Sequence, residues 1–72
     1  MSDEIHPQEI ALKQYKDLLV LVKQETATSK YYKIRAAGFR HALRIWFMND
    51  EMEHRISVEA EKKAEKIRRQ AR

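Results

Sequence analysis

The sequence predicts an all-α protein, an antiparallel helical hairpin with a long second helix, and three observations carry that expectation. One Gly and one Pro among 72 residues leave almost none of the turn chemistry that hairpins and sandwiches of strands require. Apolar positions recur at helical spacing through two long segments. Between those segments, Thr26-Ala27-Thr28-Ser29 is the one credible break, because hydroxyl side chains compete with the helical backbone and cap the next helix. A single helical domain over residues 1–72 is the result. One core in a chain this short supplies only about 3 to 5 kcal/mol, so dimerisation is expected.

Residues 1–6 read as a loose arm. Helix 1 is expected over 7–26. His6 caps it, Pro7 takes the first helical position, where a missing N–H costs nothing, and Glu9 lies near the positive end of the dipole. Leu12, Tyr15, Leu19, Val22 and Thr26 then repeat at coiled-coil spacing, with Leu18 widening the stripe. Ile10 and Leu21 fall on the back and predict a second, smaller contact.

Helix 2 is expected over 29–69 and is apolar on two opposite sides. At about 100° per residue, Ile34, Gly38, His41, Ile45 and Met48 share one arc, and Tyr32, Ala36, Phe39, Leu43, Trp46 and Phe47 share the other. Two apolar faces require two partners. Helix 1 is one of them, and the other is a second copy or a different protein. The pattern leaves open which arc helix 1 covers; Phe39, Leu43, Trp46 and Phe47 are the candidate interface residues. Gly38 costs about 1 kcal/mol relative to alanine in a helix interior, which reads as a close helix crossing. The alternative architecture is a three-helix bundle, in which the chain breaks at Asn49-Asp50 with Asp50 as cap and Glu53 completing a capping-box-like pattern. Met48, Met52 and Ile56 argue against that break, since they continue the first arc without a jump of phase. Past Ile56 the apolar content thins to Ala60, Ala64, Ile67 and Ala71, so this end is expected to overhang helix 1 and to fray or dock on a partner.

The net charge of +4 is distributed unevenly. From Thr26 to Asn49 the chain carries Lys30, Lys33, Arg35, Arg40 and Arg44 and no acid, and Lys62, Lys63, Lys66, Arg68, Arg69 and Arg72 come near the end against Glu65 alone. Lys33, Arg40 and Arg44 form a basic seam between the two apolar arcs, flanked by Lys30 and Arg35. Phosphate backbones bind such seams, and Tyr31, Tyr32 and Trp46 offer rings for base stacking. Lys30, Lys33, Arg35, Arg40 and Arg44 are therefore the candidate nucleic-acid-binding residues. The expected function is a noncatalytic accessory module that binds nucleic acid or a nucleic-acid enzyme through this face. The alternative is a protein–protein interaction or dimerisation module whose charges serve solubility.

Other functions find little support. Without cysteine there are no disulfides or thiolate metal sites, which fits a cytoplasmic setting. The longest apolar run, Leu18 to Val22, is too short to span a bilayer, and the acidic start Met1-Ser2-Asp3-Glu4 does not read as a targeting peptide. Cations placed between apolar faces, rather than opposite one, disfavour a membrane surface. Glu51-Met52-Glu53-His54 offers one Glu-x-x-His pair where a di-iron bundle needs two and further carboxylates. His41 is expected to pack or to lie in an interface. No serine or threonine stands at catalytic spacing from a histidine and a carboxylate, and no glycine-rich loop is present, so neither an enzyme nor a cofactor is expected.

In size, two-helix layout and basic character, with Lys30-Tyr31-Tyr32-Lys33 and Ala37-Gly38-Phe39-Arg40 as the segments to compare, the chain resembles the short accessory proteins of T4-like bacteriophages, of the kind encoded beside the UvsW recombination helicase. The resemblance implies a part in nucleic-acid transactions such as recombination, contacts with proteins, and residence in the host cytoplasm. It transfers no residue roles.

Overall fold

Pro7 opens the first helix, and the His6 carbonyl accepts the amides of Glu9 and Ile10 at 2.9 and 3.2 Å. In the computed structural model, which describes residues 6–70, this helix, α1, runs Pro7–Lys23; α2 spans Ser29–Trp46 and α3 Asp50–Gln70. His6 holds the cap position by backbone alone, with no side-chain cap bond. The rest of the expected arm lies outside the described residues, as do Ala71 and Arg72.

The α1–α2 turn is built by hydroxyls. Glu25 adopts a left-handed backbone with φ 57°, the Thr26 amide donates to Ser29 Oγ at 2.8 Å, and the Ser29 hydroxyl donates to the Leu21 carbonyl at 3.1 Å. The start of α2 is thereby tied to the end of α1, and α2 returns antiparallel to it. Tyr15 stacks on Phe39 midway along the pair, with ring centroids 6.4 Å apart.

The single long second helix gives way to two. Phe47 leaves helical geometry with φ −161°, and the amides of Phe47 and Met48 both reach the Leu43 carbonyl, at 2.8 and 2.7 Å. Asn49, rather than the expected Asp50, caps α3: its Oδ1 accepts the Met52 amide at 2.9 Å and its carbonyl accepts the Glu53 amide at 3.0 Å. Asp50, Glu51 and Glu53 then complement the dipole in the first turn. The physical reason for the break is burial. Carried on without a break, the helix would hold Met48, Met52 and Ile56 on the arc of Ile34 and Ile45, away from α1. The break turns them inward, so that Met48 and Ile56 are buried and Met52 half-buried against the core. The elements fit the three-helix alternative, not the hairpin.

Around α1 the other two helices take adjacent faces. Tyr15, Leu18 and Val22 join Ala36, Phe39 and Leu43 of α2 in the main cluster, to which Met48 and Ile56 also belong. Val20 packs separately on Ala60 and Ala64 of α3, both with no exposed surface, and Leu19 touches both clusters. α3 runs parallel to α1: Lys16 pairs with Glu59 at 3.4 Å, Lys23 with Glu61 at 3.2 Å, and the Arg68 guanidinium donates to the Lys23 carbonyl. The end expected to overhang is thus docked along α1. α2 and α3 pack on α1 and not on each other, meeting only through side chains at the corner between them.

Candidate nucleic-acid interface

Parallel packing of α3 on α1 produces a feature that neither helix has alone. Leu12 of α1 and Met52 and Ile56 of α3 form the floor of an open groove rimmed by Lys13, Lys16, Arg55 and Glu59. A second depression shares Lys16 and Glu59 and continues past Lys62, Lys63, Lys66, Ile67 and Gln70. The two depressions follow one another along the α1/α3 junction and share the Lys16–Glu59 pair, with Lys13, Lys16, Arg55, Lys62, Lys63 and Lys66 set against Glu59 as the one carboxylate of their linings. Lys16 pairs with Glu59, and Arg55 with Glu51 at 3.6 Å. Lys13, Lys62, Lys63 and Lys66 enter no ion pair among the described residues. From Arg55 to Lys66 the helix rises about 16 Å at 1.5 Å per residue, roughly five nucleotide steps of 3.4 Å. Exposed ammonium groups at this spacing attract a polyanion mainly by releasing its counterions.

The expected seam on α2 keeps Lys33 and Arg40 beside one hollow, while acids of α3 engage Arg40 and Arg44. Arg44 Nη1 lies 2.6 Å from Asp50 Oδ1 and 2.7 Å from Glu53 Oε2, and Arg40 Nη1 lies 3.5 Å from Glu53 Oε1. Hydrogen bonds to Glu53 and then Asp50 raise the Arg44 pKa, holding its charge in the corner between α2 and α3. Arg35 turns to the other flank, its guanidinium 5.8 Å from the centre of the Tyr31 ring. Lys30 and Lys33 stay exposed, and Lys33 borders a hollow over Tyr15, Leu19 and Val22. Helical periodicity groups Lys30, Lys33, Arg40 and Arg44 by angle and sets Arg35 apart; the acids that engage Arg40 and Arg44 come from α3.

The candidate interface residues separate in the same way. Leu43 is 2% exposed, and Phe39 and Phe47 are half-buried against the core, because the aromatic arc is the one α1 covers. Trp46 remains 56% exposed, edge-on to Phe47 at 5.2 Å. Tyr31 is also exposed and meets the half-buried Tyr32 edge-on at 5.5 Å. The opposite arc stands open, with Ile34 68% and Ile45 75% exposed. Gly38 makes no close crossing within the chain, since a Cβ there would meet nothing within 4 Å. His41 is exposed rather than packed.

Glu51 and His54 are exposed on the first turns of α3, and no group of three or more His, Cys, Asp or Glu is placed to hold a metal among the described residues. No described helix is long and apolar enough to cross a membrane. Lys13, Lys16 and Arg55 are groove residues that the sequence pattern does not single out. Lys13 and Lys16 stand at helical i, i+3 spacing, but nothing local says that α3 will bring further lysines beside them. Comparison with protein-family models, with curated proteins and with solved structures gives no match.

Proposed function

We propose that the chain is a noncatalytic accessory module that engages the phosphate backbone of nucleic acid through the α1/α3 groove. The observation that carries the reading is the shared alignment of cations: those of two helices, remote in sequence, line two adjoining depressions of the α1/α3 groove with a single carboxylate between them. Recognition of this kind is electrostatic and independent of base sequence. Ile67, together with Leu12, Met52 and Ile56 on the groove floor, gives apolar surface for the sugar edges. Recombination or a related transaction in the host cytoplasm as the setting, with a nucleic-acid enzyme as a further partner, rests on the resemblance in size and basic character alone, since three helices depart from its two-helix outline.

Fluorescent single- and double-stranded oligonucleotides titrated at two salt concentrations test the proposal. Binding should weaken steeply with salt. In the triple variant Lys62→Glu, Lys63→Glu, Lys66→Glu the affinity should drop more than tenfold, and the salt slope should shrink by about 3, near one for each phosphate left without its lysine. Arg40→Glu with Arg44→Glu should affect binding less than the triple variant, because those guanidinium groups are engaged by Asp50 and Glu53. No binding at low salt, or equal affinity and slope in the triple variant, would remove the groove from the reading.

A further inference from the structure

We propose that the solvent-facing side of α2 is a self-complementary interface, through which two copies of the chain pair α2 against α2 in antiparallel fashion. Ile34, Gly38, His41 and Ile45 succeed one another at spacings of four, three and four, the seam of a coiled coil. Nothing among the described residues covers that seam, because α1 takes the opposite face of α2. Its two isoleucines are 68% and 75% exposed, more than the other large apolar residues left on the surface.

Gly38 is the second observation. Its φ is not positive and its Cβ position is open, so the fold of one chain has no use for a residue that weakens the helix. A close approach from outside gives it one.

The occupant is a second copy because the stripe complements itself, as a two-fold interface must. With the axis midway between Phe39 and Arg40, Ile34 of one copy opposes Ile45 of the second, and Gly38 opposes His41, the smallest residue against the one ring of the seam. On the flanks Arg35 opposes Ala42 and Ala37 opposes Arg44, so each arginine meets an alanine and no cation faces another. Parallel pairing would instead set Lys30 against Arg35 of the second copy. An acidic helix from another protein would satisfy the charges of α2 but would not require this mirrored order of residues. The face is separate from the α1/α3 groove, so the inference stands independently of nucleic-acid binding.

Sedimentation equilibrium from micromolar to millimolar concentration is the test, and a monomer–dimer equilibrium is the expected result. Ile45→Asp should weaken the dimer at least tenfold with an unchanged far-ultraviolet helical signal, since the side chain is already exposed in the monomer. Gly38→Leu should fold, because space is open there, and should also be monomeric. The absence of cysteine allows the register to be read directly. Mixed Ile34→Cys and Ile45→Cys chains should form the mixed disulfide in preference to either like pair, whose residues would lie about 16 Å apart, beyond bridging distance. The proposal is overturned by a monomer at all concentrations, by a dimer indifferent to Ile45→Asp, by preferential like-pair cross-linking, or by association that requires oligonucleotide or an acidic peptide.

Discussion

Glu25 holds a left-handed backbone just past the C-cap of α1, a position that helices commonly give to glycine. The β-carbon of an L-residue is crowded there, at a cost of roughly 1 kcal/mol. Glu25→Gly should therefore raise the thermal midpoint by about 4 to 8 °C, the shift that 1 kcal/mol gives in a domain of this size. Gly38 is the converse case, helical and unobstructed, and Gly38→Ala should stabilise the dilute, monomeric chain by a similar amount. Thermal melts monitored by circular dichroism decide both, and an unchanged or lower midpoint would refute the backbone argument at that site. Tyr15 contributes a pH dependence. Burial, then the Glu53 carboxylate, raises its pKa above the ordinary 10.0 against the opposing pull of Arg40 and Arg44. A folded-state pKa above the unfolded value means that the contribution is complete below the unfolded pKa and is lost as pH rises through the folded one. Relative to its own stability near neutrality, Tyr15→Phe should lose less than the parent above pH 10. Parallel losses in denaturant melts at alkaline pH would show that the Tyr15 hydroxyl is not responsible.

Among the elements, α3 depends most on a single local interaction, the Asn49 cap. Asn49→Ala should cost about 1 kcal/mol and fray the first turn of α3, whereas Asn49→Asp should retain the cap. Amide exchange at Met52 reads the difference, since its N–H donates to Asn49 Oδ1, and equal exchange in the alanine variant and the parent would discount the cap. This corner also shows what local sequence can tell. Pro7 and the repeat from Leu12 to Val22 are sufficient for α1, and the hydroxyl-rich turn before Lys30 for the start of α2, because those signals act within one or two helical turns. The end of α2 is harder to read. The phase of Met48, Met52 and Ile56 favours continuity, while Asn49 with Asp50, Glu51 and Glu53 after it favours a new start, and only burial against α1 decides between them. The face of α2 that α1 covers is likewise a tertiary choice, made by Tyr15 stacking on Phe39 and by Leu43 filling the core.

At the scale of the whole molecule, α1 is the one helix that both others touch, and its two faces hold separate parts of the structure together. The basic groove is only partly legible in the sequence. Lys62, Lys63 and Lys66 stand out there, but Lys13 and Lys16 join them only because α3 runs parallel to α1. The partners of Arg40 and Arg44 likewise come from the far side of the corner. Val20 is the residue on which the groove's alignment depends most, since it is the one buried side chain of α1 in the cluster with Ala60 and Ala64, to which Leu19 and Ile67 add only partly buried contacts. The main cluster around Tyr15 and Leu43 does not include Val20. Val20→Ala should therefore open the second half of α3 selectively: amides from Ala60 to Ile67 should exchange faster, by an amount worth about 1 to 2 kcal/mol, while α2 keeps its protection. If the groove must be ordered to bind phosphates, oligonucleotide affinity should fall with the same variant although no cation has been removed. Uniformly faster exchange in all three helices would mean that the two clusters open as one cooperative unit. Unchanged affinity beside a loosened α3 would mean that the lysines act as a mobile basic tail rather than as one wall of a groove.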